Sequence, residues 1–301
     1  MVEHLGNPQQ YAFDGSSGLL NMLVYSPSPH EAASGVVVPL VHGLAGDVLG
    51  NGNSYVTHLI QSLPEAGVTL ALLQRGGQGE KSYPDGLTGG SAYRTLQEEV
   101  ADTTAGLQAL AEMGYDDIAP LGFSVGFLLV GAAVTAPDFS RSIGPARVNL
   151  VMGLSPTHIK NWMGMADPAG HRRLLNVARR SVGDRDEDVP LTLDHRPYGM
   201  FWTAEPYLSM SLDNADPLVH IRNLNRQGVD LRVAYGTEDP DVSGSWRNTG
   251  TMVREIARAH PRARFTRVEG APHNMEGHEI EVERFVLESL GRGTSSARSQ
   301  P

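Results

Sequence analysis

A serine hydroxyl is inert until a neighbouring base takes its proton, and the chemistry of this chain is expected around one such hydroxyl, that of Ser124. Gly122-Phe123-Ser124-Val125-Gly126 fits the pattern G-x-S-x-G, a sharp turn that lifts the serine above a sheet while the next backbone N–H faces the reacting carbonyl. Glycine on each flank suits a strained turn between closely packed elements, where a side chain finds no room. A second stretch of interest is His42-Gly43-Leu44-Ala45-Gly46-Asp47, which follows an apolar run. A glycine-rich loop at the carboxyl end of a central strand turns backbone N–H groups into the crevice where open α/β sheets bind ligands. The alternative at that point is an ordinary strand-to-helix connection.

Positioning Ser124 takes a buried strand before it and a buried helix after it. Residues 118–136, IAPLGFSVGFLLVGAAVTA, supply both, since IAPLGF is short and apolar and VGFLLVGAAVTA suits a helix covered on all sides. The same run is uncharged over a length that could cross a bilayer, and Gly122-x-x-x-Gly126 is the spacing of a membrane helix pair. Pro120, three glycines and the acidic flanks Asp116, Asp117 and Asp138 argue against a span. Another glycine-rich stretch, Gln74-Arg75-Gly76-Gly77-Gln78-Gly79-Glu80, lacks the Lys-Ser/Thr of a phosphate loop and the spacing of a dinucleotide fingerprint.

Strands and helices alternate on either side. Residues 18–26 read as a first strand, VVVPLV at 36–41 as a strand covered on both faces, 55–63 as a helix stopped by Pro64, and 67–73 as another buried strand. Residues 91–113 predict a long amphipathic helix with Leu96, Val100, Thr103, Leu107 and Leu110 along its inner stripe. A strand at 147–154 follows. From 157 to about 213 no strand alternation is read. That section holds a helix near 169–182, a charged loop at 183–188, and many large apolar residues, among them Trp162, Met163, Phe201 and Trp202. Core packing accounts for any one of them; as a group they suit the lining of an apolar pocket. Strands at 229–235 and 264–268, with helices near 250–259 and 280–290, complete the pattern before a small, polar tail.

Composition narrows the functions that fit. With 301 residues the chain can form one large α/β domain with an insertion, and 24 basic against 34 acidic residues leave a net charge of −10. That balance speaks against nucleic acid or an anionic membrane as partner. No cysteine is present, which removes disulfides, thiolate metal sites and cysteine nucleophiles. No histidine pair has metal-binding spacing, so no metal is expected. The start, MVEHLGNPQQYAFDG, has neither a basic opening nor an apolar stretch, and a cytoplasmic location is the expectation.

In the order of its parts the chain resembles the α/β-hydrolase superfamily over roughly residues 18–290: serine at an elbow, then an acid after a later strand, then a histidine after the last strand. His42-Gly43-Leu44-Ala45-Gly46 is similar to the family's HGxxG oxyanion loop and Arg75-Gly76-Gly77-Gln78-Gly79 to its R-G-x-G turn, with one extra residue between glycines and Gln74 where aspartate is frequent. Phe123 stands where many lipases and thioesterases have histidine. The resemblance implies a mostly parallel sheet flanked by helices, built from 1–156 and 214–291, with 157–213 as an inserted cap and 292–301 as a disordered tail. It implies Ser124 as nucleophile, His273 as base and Asp239 as the acid that orients it, with the backbone N–H groups of Val125 and Leu44 holding the oxyanion. Asp241 and Glu238 compete for the acid's role, and His278 for the base's. Gly43, Trp162, Met163, Phe201 and Trp202 would contact substrate. The implied activity is cofactor-independent hydrolysis of a carboxylic ester or related acyl bond in a small hydrophobic substrate. Acyl transfer, thioester cleavage or cyclisation, lyase chemistry, and ligand reception by a vestigial site are the alternatives on the same scaffold.

Overall fold

The computed structural model describes residues 8–16, 18–28, 35–43, 53–75, 94–165, 167–183, 191–193 and 200–292. In chain order the first half contains β1 (Gln9–Gly15), β2 (Gly18–Tyr25), β3 (Val36–Val41), α1 (Ser54–Glu65), β4 (Thr69–Leu73), α2 (Leu96–Glu112), β5 (Asp117–Ile118), β6 (Leu121–Phe123), α3 (Gly126–Val134), α4 (Phe139–Ser142) and β7 (Leu150–Leu154). Then come α5 (Ile159–Met165), α6 (Pro168–Gly183), β8 (Leu191–Leu193), β9 (Met200–Trp202) and α7 (Ala204–Ser211). The chain closes with α8 (Pro217–Gln227), β10 (Asp230–Gly236), α9 (Pro240–Ser245), α10 (Thr249–Ala259), β11 (Arg264–Val268) and α11 (Glu279–Ser289).

The main sheet runs β1-β2-β4-β3-β6-β7-β10-β11, with β5 also paired to β3. From β4 to β11 every pairing is parallel, while β2 runs antiparallel to both β1 and β4. Parallel strands need cover on both faces, and the sequence supplies it. In β3, Val37 and Val41 face a core shared with α2, α3, α8 and α10, whereas Val38 and Leu40 face one shared with α1 and α11. The carboxyl ends of β3, β6, β10 and β11 lie along one edge, where open α/β sheets place their ligands.

Several expectations need correction. The strand beginning at Gly18 is the second, because QQYAFDG forms an edge strand folded back on it as a hairpin. The strand leading to Ser124 is interrupted at Ala119-Pro120: Pro120 and the facing Pro39 of β3 supply no N–H, so β3 pairs β5 and β6 in two short pieces. Helix α1 continues through Pro64 for one residue more. Helix α2 starts at Leu96, fixed by a capping box in which Thr95 and Glu98 bond each other's backbone N–H. Its inner face buries Leu96, Thr103, Leu107 and Leu110 but leaves Val100 half-buried, and it takes in two carboxylates, Glu99 and Asp102. The section at 157–213 does contain strands, the antiparallel pair β8 and β9. Helix α8, unread in the sequence, is capped by the Asp216 side chain, has Pro217 in its first turn and ends at Gly228 with φ +78°. Among the described residues no helix is long and apolar enough to cross a membrane.

Candidate active site

Ser124 sits between β6 and α3 with φ +56°, a left-handed conformation that costs a non-glycine residue about 1–3 kcal/mol. Its neighbours leave it no alternative. A Cβ on Gly122 would lie 2.5 Å from the Phe127 backbone, and one on Gly126 would lie 2.0 Å from the Val41 carbonyl oxygen, so both glycines allow helix and strand to touch. The Ser124 N–H donates to the Leu154 carbonyl at 2.9 Å, tying the turn to β7. Val125 opens α3, where backbone N–H groups have no acceptor within the helix.

The acid and the histidine come from adjacent parallel strands whose following loops are joined. Thr237 N–H donates to the Val268 carbonyl and Glu238 N–H to the Ala271 carbonyl, both at 3.1 Å, and Gly270 N–H donates to Thr237 Oγ1 at 2.8 Å. Gly236 permits this contact, since a Cβ there would stand 2.1 Å from the Ala271 carbonyl oxygen. Asp239 is almost fully buried and caps α9, with Oδ1 accepting from the N–H groups of Asp241 and Val242 at 2.9 Å. Its other oxygen, Oδ2, lies 2.8 Å from His273 Nδ1, and His273 Nε2 lies 3.1 Å from Ser124 Oγ. Of the competing groups, Asp241 places Oδ2 at 3.8 Å from His273 Nε2, and His278 faces Glu281 instead. Burial by itself would lower the His273 pKa, but the Asp239 hydrogen bond and charge, joined by the Asp241 charge, outweigh it and leave it raised.

On the opposite flank Gly43 abuts the serine: a Cβ there would be 3.0 Å from Ser124 Cβ and 3.3 Å from Oγ. The backbone is held by Arg75, 1% exposed, whose Nη2 donates to the carbonyls of His42 at 2.8 Å and Gly43 at 3.0 Å while Nη1 donates to buried Glu99. The His42 ring packs 4.8 Å from Phe123, which lies 5.1 Å from the His273 ring on another side. Burial and then the Arg75 charge hold the His42 pKa down to about 4, so this imidazole is neutral at pH 7.

A second hydroxyl at the site escaped the sequence reading. Thr157 Oγ1 lies 3.1 Å from Ser124 Oγ. Ser155, with φ +48°, turns the chain out of β7 toward it, and Trp246 and Ser245 bond the Pro156 carbonyl and the His158 N–H to hold the loop. Among the residues expected to contact substrate, Trp162 is tied to Asp241 by its indole N–H at 3.1 Å. Met163 and Trp202 are buried within the 157–213 section, where Met163 Sδ accepts from Ser211 and the Trp202 ring stands 6.4 Å from Tyr207. Leu44, the Phe201 side chain and the glycine-rich stretch from Gly76 onward lie outside the described residues. Glu99 did leave a signal, since its spacing from Leu96 and Thr103 puts a carboxylate on the inner face of α2, where it demands a buried cation.

No protein-family model and no curated protein matches this chain. Solved structures do. The chain is similar to a ferulic-acid-bound Est1E from Butyrivibrio proteoclasticus, with TM-score 0.65 and 17% identity over 94% of this chain and 100% of that one. Siderophore hydrolase EstB from Aspergillus fumigatus gives 0.66 and 15% identity over 95% and 98%. A soluble variant of monoglyceride lipase from Saccharomyces cerevisiae, solved with a substrate analogue, gives 0.68 and 12% identity over 97% and 96%. These likenesses run through nearly the whole chain and identify its fold as that of the α/β hydrolases.

Proposed function

We propose that this chain, an α/β hydrolase by fold, is a serine hydrolase that cleaves a carboxylic ester or related acyl bond through an acyl-enzyme on Ser124. One observation carries the proposal: a single imidazole, His273, reaches Ser124 Oγ with one nitrogen at 3.1 Å and Asp239 with the other at 2.8 Å. Asp239 fixes the tautomer that carries the proton on Nδ1, which leaves the Nε2 lone pair facing the hydroxyl. As Oγ attacks the carbonyl carbon, Nε2 takes its proton, and the imidazolium is stabilised by the buried carboxylate beside it. The oxygen that gains charge is received by the Val125 N–H and, in this proposal, that of Leu44, each worth about 3 kcal/mol. Nε2 then protonates the departing group, and a water activated by the same nitrogen releases the acid.

The section at 157–213 is proposed to act as a cap over the acyl group, a role supported by the Trp162 indole bound to Asp241 beside the histidine. A fluorophosphonate probe is expected to label the wild type and not Ser124→Ala. A wild-type chain that takes no label at any pH where it stays folded would count against the proposal.

A further inference from the structure

Asp241 has no part in the steps above, yet it stands where they take place. Its Oδ2 lies 3.8 Å from His273 Nε2, the nitrogen that faces Ser124 and not the one bound to Asp239. It cannot swing away freely: Oδ1 accepts the Trp162 indole N–H at 3.1 Å, and its own backbone N–H is bound to Asp239 Oδ1 at 2.9 Å. The side chain is 19% exposed, next to a His273 ring at 21% and the buried Asp239 and Trp162. Among the described residues, the group of opposite charge within ion-pair distance is the His273 imidazole, and only when protonated.

Nε2 must hand its proton to the departing atom, which brings that atom within about 3 Å of it. The departing atom and the Asp241 carboxylate are therefore within about 7 Å of each other at that moment. We propose that Asp241 is a specificity-determining residue of the hydrolase proposed above. It favours substrates whose leaving group carries a positive charge or a hydrogen-bond donor near the scissile oxygen, and disfavours those with a carboxylate or phosphate there. A cationic leaving group keeps a positive charge beside the carboxylate as the His273 imidazolium gives up its proton. An anionic one meets a fixed like charge held by Trp162.

The test compares kcat/KM for butyrate esters of choline, of 3,3-dimethylbutanol and of glycolic acid, which share the acyl group and differ in leaving-group charge. Measured on the plateau above the His273 limb, with each rate taken relative to the neutral ester, the wild type is expected to prefer the cationic over the anionic ester by on the order of tenfold more than Asp241→Asn does. An equal preference in the two proteins overturns the inference. Among the described residues, Asp239, Asp241 and His42 are the titratable groups that face His273. His273 must be neutral to accept the serine proton, so its raised pKa sets the acid limb of the profile; removing the Asp241 charge is expected to move that limb to lower pH, and an unmoved limb counts against a carboxylate at this distance. Should Asp241→Asn not fold, the wild-type preference is measured at about 20 mM and about 500 mM salt, where it is expected to shrink; a flat response overturns the inference. Labelling at Ser124 with an unmoved preference sinks this inference alone. A protein that neither labels nor hydrolyses any ester sinks the hydrolase proposal and this one with it.

Discussion

On the histidine side of Ser124 two loops from neighbouring strands are joined by several backbone hydrogen bonds, whereas on the Gly43 side the backbone is gripped by one buried guanidinium. The first flank distributes its support over Thr237, Glu238 and Gly270, so that no single side chain carries the placement of Asp239 and His273. Among the described residues, the second passes much of it through one side chain. Arg75 holds the His42 and Gly43 carbonyls and is itself held by Glu99, a pair removed from water in which each charge needs the other. A distributed support should let a substitution alter chemistry while sparing the fold; a concentrated one should make the two fail together.

The largest effect is expected from Asp239→Asn. The amide oxygen still accepts from the α9 N–H groups, so stability should fall by no more than about 2 kcal/mol. Its NH2, however, turns toward His273 Nδ1 and selects the tautomer with a proton on Nε2, which cannot accept from Ser124. Turnover is expected to drop about ten-thousandfold with the melting profile little changed. A variant that unfolds instead would show that Asp239 supports its flank as Arg75 supports the other, and the contrast between the flanks would be lost.

Arg75→Met should behave in the opposite way. It takes the Arg75 cation away from the buried Glu99 carboxylate, at a cost of about 3–5 kcal/mol in denaturant unfolding. It also frees the Gly43 carbonyl, and because C=O and N–H of one planar peptide point in opposite directions, it frees the following amide proposed to hold the oxyanion. Turnover is expected to fall about a hundredfold. The double change Arg75→Met/Glu99→Leu separates the two effects: stability should return most of the way, while turnover stays low. Turnover that recovers with stability would mean that Arg75 holds the fold and nothing more.

The same contrast explains what the sequence made legible. Ser124, Asp239 and His273 are announced locally, by glycines around a turn and by polar residues following apolar strands, and the parallel sheet follows from the buried runs that precede them. The Arg75 clamp joins residues from three separate elements: Arg75 and His42-Gly43 stood out as loop motifs, but that they meet was traceable only through the carboxylate Glu99 on the inner face of α2. Helix α8 had its signs in plain view, Asp216-Pro217 at one end and Gly228 at the other, but its interior PLVHIRNLNRQ is too polar for periodicity to stand out. The break at Pro39 and Pro120 depends on two prolines facing each other across a register that only the folded sheet defines. Thr157 was invisible for a similar reason, since it meets Ser124 only across the sheet, through its own N–H to the Ser124 carbonyl and a loop held by Trp246 and Ser245.

Thr157 belongs to neither flank, and it sharpens the comparison with the smallest expected effect. If the Ser124 O–H donates to His273, the lone pairs of Oγ accept the Thr157 O–H at 3.1 Å, which fixes the serine rotamer from a third direction. Thr157→Val keeps the shape and removes the donor, and the loss of one such bond is worth about 0.5–1.5 kcal/mol, so kcat/KM should fall no more than about tenfold. Thr157→Ser should restore it. A Val variant as fast as the wild type would mean that the strained backbone at Ser124 aims the hydroxyl unaided, and that the two flanks with their turn are sufficient to place the proposed nucleophile.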